Sequence, residues 1–162
     1  MSEPAGLGAP LFFDDLAVGS TFVSAGRTVT EADIVAFAGL SGDYNQLHVD
    51  HEFASSTTHG ERIAHGLLVL SIVSGLSTRV SLMVGLAEQI IGLLNLECKF
   101  RRATKIGDTI HVRLTIKDLR RTSKGDAGVL SLAREAIDQH GNVVMESMWT
   151  LLVRAREEAP HE

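Results

Sequence analysis

Gly66-Leu67-Leu68-Val69-Leu70-Ser71-Ile72-Val73-Ser74-Gly75-Leu76-Ser77-Thr78-Arg79 is the stretch that decides the fold. Wound at helical pitch, Leu67, Leu68, Val69, Leu70, Ile72, Val73, Leu76 and Val80 cover nearly every side. A helix that is apolar all round is a buried one. The segment from Gly66 to about Gly85 is therefore predicted to be a central helix surrounded by the rest of the chain. Its strongly apolar run, Gly66 to Thr78, is 13 residues and stops at Arg79. A membrane-spanning helix needs about 20 such residues, so no membrane role is expected.

Downstream the period changes to two. Ile110, Val112, Leu114 and Ile116 alternate with Thr109, His111, Arg113, Thr115 and Lys117, which predicts a half-buried strand. A second strand is predicted from Gly128 to Ile137, and Gln139-His140-Gly141-Asn142 is a turn. Met145, Trp149, Leu151 and Val153 mark one face of a last strand. Leu93 to Arg101 and Ser20 to Val29 also read as strands. Upstream of the buried helix, Thr30-Glu31-Ala32-Asp33 is a helix start, with Thr30 as cap and two carboxylates at the positive end of the dipole. Ile34, Phe37 and Ala38 share one face, and Gly39 and Gly42 end that helix. Gly42 to Thr58 is polar and rich in histidine, which suits loops and a short helix. The last four strands are expected to form an antiparallel meander. A curled antiparallel sheet around one buried helix is an α+β hotdog fold. One such domain is expected over residues 11–155, with residues 1–10 and 156–162 as flexible termini.

Composition narrows the function. A chain of 162 residues fits one domain, and 44% hydrophobic with 22% charged residues excludes a disordered chain. A net charge of −5 argues against a general nucleic-acid binder. The single cysteine, Cys98, excludes an internal disulfide and a cysteine-cluster zinc site. Met1-Ser2-Glu3-Pro4-Ala5-Gly6 has neither the basic nor the apolar part of a secretory signal, so the cytoplasm is expected. Charge is unevenly spread. Lys99 to Lys124 holds nine basic residues against Asp108 and Asp118. That is either a solvated strand face or a footprint for a phosphorylated ligand, with Lys99, Arg101, Arg102, Arg120, Arg121 and Lys124 as candidates.

Ser41-Gly42-Asp43-Tyr44-Asn45-Gln46-Leu47-His48 places a carboxylate, an amide and an imidazole within six residues. Asp43 can only accept hydrogen bonds, whereas the His48 ring can give or take a proton. Such a pair suits holding a water and adding it across a polarised double bond, with Asn45 orienting the carboxylate or the water. The same residues also suit a polar turn in which Asp43 is only a cap. A second element, Ile63-Ala64-His65-Gly66-Leu67-Leu68, lies where the buried helix begins. A helix N-terminus offers unpaired N–H groups, and Gly66 lets a ligand carbonyl approach the backbone. That would stabilise a developing enolate oxygen. Alternatively Gly66 only relieves crowding.

Together the two elements resemble the MaoC-like dehydratases, and within them the (R)-specific enoyl-CoA hydratases. Asp43, Asn45, Leu47 and His48 match the family's loop pattern, His65-Gly66 matches its helix opening, and Ser74 stands at its helix serine. Phe12 to Gly19, Arg27 to Asp33, Lys99-Phe100-Arg101 and Ile106-Gly107-Asp108 are similar as well, so the resemblance runs from about Leu11 to Val153. Gln46 departs from it, standing where the family has proline. Proline would fix its own φ and hold Asn45 extended, so glutamine loosens the loop. The resemblance implies a trans-2-enoyl-CoA substrate and its hydration to (R)-3-hydroxyacyl-CoA, with the reverse dehydration. It implies that Asp43 and His48 activate the water, that Gly66 polarises the thioester carbonyl, and that Asn45 and Ser74 support them. It implies no cofactor beyond the CoA of the substrate. It also implies a homodimer or dimer of dimers with acyl-CoA along the interface.

Other readings carry less. His48, His51, His59 and His65 with Asp43 and Asp50 invite a metal, but no His-Glu-x-x-His motif appears, so none is expected. Cys98 is expected to be a buried inert thiol and Trp149 a core residue. The Ser74 hydroxyl is equally suited to bonding back to the carbonyl of Leu70. A thioesterase on this fold needs a carboxylate on the central helix, and Gly66 to Arg79 has none. A catalytically weak acyl-thioester-binding subunit is the remaining alternative, left open by Gln46.

Overall fold

The computed structural model describes residues 10–156. A 3-10 turn at Phe13–Asp15 leads into two short strands, β1 (Thr21–Val23) and β2 (Arg27–Thr28). Five helices follow: α1 (Glu31–Ser41), α2 (Gln46–Val49), α3 (His51–Ser55), α4 (Gly66–Ser77) and α5 (Ser81–Leu86). Four long strands complete the chain: β3 (Ile90–Phe100), β4 (Thr109–Arg121), β5 (Ala127–Ile137) and β6 (Val143–Arg154). The sheet order is β1-β4-β5-β6-β3, with β2 also on β4, and every pairing is antiparallel. This is the curled-sheet-and-helix hotdog arrangement.

The last four strands are not one meander. β4, β5 and β6 run hairpin to hairpin, but β3 passes β4 and lies against β6, from Phe100 opposite Met145 to Ile90 opposite Val153. The connection that makes this possible crosses the end of the sheet. The Arg101 and Arg102 N–H groups both donate to the Val144 carbonyl, and Gly107, at a φ of +93°, donates to the Val29 carbonyl. The expected first strand is likewise two pieces, because at Ser24 the side-chain hydroxyl takes over the Val112 N–H at 2.9 Å.

α1 starts as its sequence demands. Thr30 Oγ1 accepts the Asp33 N–H, and the Asp33 carboxylate accepts the Thr30 N–H at 2.8 Å. Such a reciprocal cap satisfies two otherwise orphaned donors. The helix runs through Gly39 and ends only at Gly42, whose φ of +76° is left-handed. That turn aims the chain into the Asp43 loop.

The central helix is shorter than expected. It ends at Ser77, and Thr78 to Val80 separate it from α5. Leu68, Val69, Ile72, Val73 and Leu76 are buried with Ile110, Val112, Leu114 and Ile116 of β4 and Leu130 and Leu132 of β5. Burying one such side chain contributes about 1.5–3 kcal/mol. The other side of the helix is not covered within one chain. Leu67 is 61% exposed, and Ser71 and Gly75 continue its stripe one and two turns on.

Of the expected tail, Arg156 is tied down. It donates to both oxygens of Asp15 at 2.6 and 2.8 Å, and its N–H to Asp14 at 2.7 Å. Residues 1–9 and 157–162 lie outside the described residues. Trp149 is buried on the inner face of β6, as expected of a core residue. Cys98 is half-buried rather than buried, and desolvation pushes its thiol above the ordinary value, which suppresses thiolate.

Candidate active site

The Asp43 loop and the start of α4 meet. Asn45 caps α2: its side-chain oxygen accepts the Leu47 N–H at 3.0 Å. The Asn45 backbone N–H, not its side chain, donates to Asp43 Oδ1 at 3.2 Å. So Asn45 orients the carboxylate through its main chain while its amide builds the helix that carries His48. Gln46 is the first residue of that helix, and Asn45 is extended at φ −54°, ψ 132° without a following proline. The loosening expected from Gln46 is thus offset by the cap.

His48 Nδ1 lies 2.8 Å from the carbonyl oxygen of Ile63. A carbonyl can only accept, so Nδ1 carries the hydrogen and the neutral ring keeps a bare Nε2. The same reasoning applies to His65, whose Nε2 lies 3.0 Å from the carbonyl oxygen of Asp43 and must donate to it. The His48 and His65 rings stack at 3.8 Å between centroids and 30° between planes. One carboxylate oxygen of Asp43 and one nitrogen from each ring lie within 4.8 Å of one another. A water bonded to two groups at about 2.8 Å spans about 4.6 Å at a tetrahedral angle, so these groups are spaced to share one.

The trio offers a carboxylate and two imidazoles, which is a donor set a metal would accept. The stack argues against that use. The rings lie 3.8 Å apart, face to face at 30°, and each already spends one nitrogen on a main-chain carbonyl, whereas ligands of one ion converge on it edge-on. His51 and Asp50 stand apart from the trio. Asp50 caps α3 by accepting the Phe53 N–H, and His51 is exposed.

Gly66 opens α4, and its N–H has no acceptor among the described residues. A Cβ at Gly66 would come within 2.9–3.2 Å of the Phe100 ring, so glycine is what lets that ring pack against the start of α4. Upstream, the Ala64 N–H donates to Thr104 at 2.8 Å and Ile63 bridges Lys105, which pins the helix start to the β3–β4 connection. An open cleft of about 500 Å³ runs over the site, lined among others by Asp43, His48, His59, His65, Gly66, Phe100, Arg101 and Arg102. Phe100, His59 and Thr104 line it without having been given a role from sequence. Only the chain crossing after β3 brings Phe100 and Thr104 there.

Ser74 is half-buried on α4 and is not among the cleft residues. Its neighbours Ser71 and Ser77 bond back to the carbonyls of Leu67 and Val73 at 2.8 and 2.7 Å, while the Ser74 hydroxyl makes no such bond among the described residues. The basic cluster is divided. Arg101 and Arg102 sit at the cleft mouth, and Lys99 lies on β3 beside Glu146. Arg101 donates to Glu146 at 2.8 and 3.1 Å and holds that carboxyl below its ordinary value. Arg120, Arg121 and Lys124 lie at the other end of the sheet, where Arg121 is bonded to Asp14. Arg102 contacts β6 at Val144, and Arg121 aligns through Gly128 with Val153. That is about 30 Å along the strand at roughly 3.3 Å per residue.

The sequence profile of the MaoC-like domain matches residues 16–135, and the chain belongs to that family. It is 33% identical over 146 residues to the (R)-specific enoyl-CoA hydratase of Rhodospirillum rubrum, covering 90% of this chain and 93% of that protein. It is 40% identical over 106 residues to Protein MaoC of Klebsiella aerogenes, covering 65% of this chain but only 30% of that longer protein. A double-hotdog protein of Mycobacterium tuberculosis superposes with a TM-score of 0.80 at 22% identity, covering 94% of this chain and 47% of that one, which shows the shared fold. Among the described residues no helix is long and apolar enough to cross a membrane.

Proposed function

We propose that the protein hydrates trans-2-enoyl-CoA to (R)-3-hydroxyacyl-CoA and catalyses the reverse dehydration. The observation that carries this reading is the Asp43 carboxylate within 4.8 Å of a ring nitrogen of His48, whose Nε2 the Ile63 carbonyl leaves bare, next to a helix start whose Gly66 N–H lacks an acceptor among the described residues. Asp43 and His48 Nε2 hold one water over the cleft. As its oxygen bonds to C3, one water proton passes to His48 Nε2. The C2–C3 π pair moves onto C2 and the thioester oxygen, to which the Gly66 N–H donates a hydrogen bond as its charge grows. His48 then delivers that proton to C2, and the ring returns to its starting form. General acid–base help of this kind is worth roughly 10²–10⁴ in rate, and one oxyanion donor about 3–4 kcal/mol.

The cleft mouth supplies the anchor for the CoA phosphates. Arg102 is exposed there and makes no ion pair among the described residues, whereas Arg101 is already engaged by Glu146. Arg102 is therefore the stronger candidate, and Arg120, Arg121 and Lys124 are too remote within one chain. A homodimer is part of this reading. Among the described residues β3 ends the sheet with a free edge, and Ile91, Leu93 and Leu94 on it are 50–54% exposed.

Crotonyl-CoA tests the reading. Loss of the conjugated thioester absorbance without thiol release, followed by an (R) product on chiral analysis, is the expected result. Thiol release would mean a thioesterase. Binding with neither change would mean an acyl-thioester-binding subunit, and an (S) product would remove the (R) assignment.

A further inference from the structure

His65 makes two contacts that meet the two groups assigned to the chemistry. Its Nε2–H holds the Asp43 carbonyl at 3.0 Å, and its ring stacks on the His48 imidazole at 3.8 Å with a 30° tilt. Phe37 backs it at 5.1 Å. The residue is 2% exposed, and its Nδ1 is buried with no partner among the described residues. A buried polar atom left unpaired is destabilising, and a phenylalanine or leucine would fill the space without it. His65 also stands at the N-cap of α4 yet makes no side-chain cap bond. Its donor is turned away from the ordinary local use and spent on the loop 22 residues earlier.

We propose that His65 is a positioning residue that sets Asp43 and His48 relative to one another and to Gly66. The carbonyl bond fixes the main chain of Asp43, and the Asn45 N–H then fixes its carboxylate. The stack fixes the plane of His48, whose tautomer the Ile63 carbonyl has already set. Gly66 is the next residue in the chain, so one side chain keys the water-holding pair to the carbonyl donor. His65 need not exchange a proton with substrate for this. The inference rests on the proposed hydratase reading for its kinetic consequences, but not for its geometry.

Three variants of the full chain separate the contacts. His65→Gln keeps an N–H donor without a ring, His65→Phe keeps a flat ring without the donor, and His65→Ala loses both. With crotonyl-CoA, kcat should fall roughly 10-fold in the Gln and Phe variants. It should fall on the order of 10²-fold in the Ala variant, the loss expected when reacting groups shift by about 1 Å. KM should stay within about twofold, since His65 does not hold CoA. The imidazole proton resonances of His48 report the stack directly. They should keep the ring-current displacement in His65→Phe and lose it in His65→Gln and His65→Ala. Unchanged kcat in folded Gln and Phe variants, or losses that follow only melting temperature, would overturn the proposal. If the wild-type protein hydrates no enoyl-CoA, the hydratase reading fails by itself and the His48 resonances decide the inference. No change on removing the His65 ring then overturns it. Should the Ala variant not fold, the Gln and Phe pair still gives the answer.

Discussion

A histidine can take a proton only through a nitrogen that does not already carry one. The Ile63 carbonyl leaves His48 Nε2 in that condition, and the Asp43 carboxylate lies within 4.8 Å of a ring nitrogen. Asp43→Asn keeps the shape but removes the charge that orients water, and His48→Ala removes the proton carrier. Each should lower kcat by roughly 10²–10⁴ while the melting temperature holds. The double variant should be scarcely slower than either single one, because both groups act on one water. Steady-state rates and melting curves on the same samples check this, and full kcat in a stable Asp43→Asn protein removes the mechanism. Gln46 gives a test of opposite sign. It occupies the first position of α2, where proline is well tolerated, and Asn45 already has a backbone that proline permits. Gln46→Pro should add about 0.5–1 kcal/mol of stability, read by urea unfolding, without loss of kcat. Asp43, His48 and Gly66 were legible because they lie in two short contiguous motifs. The Ile63 carbonyl and the His48–His65 stack were not, since a main-chain acceptor has no residue type to read. The 16 residues between the two histidines also hide their contact.

At the scale of elements, alternation along Thr109 to Lys117 gave the inner face of β4 correctly, because period two reports which side is buried. It does not report the neighbour, which is why β3 was expected beside β4 and lies beside β6. α4 was legible from its apolar run, while its open stripe at Leu67, Ser71 and Gly75 was not, because an apolar residue does not reveal what covers it. One element carries a local conflict. Arg134 sits in the buried register of β5 between Leu132 and Ala136, 3% exposed, with its guanidinium 3.9 Å over the Trp149 ring and Nε without a partner among the described residues. Burial pushes its pKa down to about 10, well below the ordinary arginine value. The folded state thus gives up this proton before the unfolded chain does, and the resulting destabilisation is full below about pH 10 and fades as pH rises toward the ordinary arginine value. Contact with the indole face offsets part of it, about 0.5–2 kcal/mol. Arg134→Met should therefore raise stability at pH 7 by about 1–3 kcal/mol in denaturant titrations. A loss of that size would mean that the charge is satisfied in solution by a group outside this chain.

For the whole molecule, the decisive asymmetry is between the two margins of the sheet. One margin is β1 and β2, three and two residues long and interrupted at Ser24. The other is β3, eleven residues with apolar side chains standing free. An unpaired margin of that length is a template for another strand. Leu94→Lys should convert the proposed dimer to monomer in sedimentation velocity, with little change in secondary structure by circular dichroism. A variant that stays dimeric would place the contact elsewhere. Division of the basic cluster between opposite ends of the sheet belongs to this scale as well, because a count of charges along the chain cannot see that β4 carries them about 30 Å apart. The difference between the margins also bears on polymer growth. If β3 pairs with its own copy about a two-fold axis, both long margins are consumed in a single event. What faces outward is then a stub at each end, too short and too broken to recruit a third chain. In that dimer the sheet would carry its own chain terminator, so strand addition would halt at two copies where a chain with two long margins would go on to form a filament.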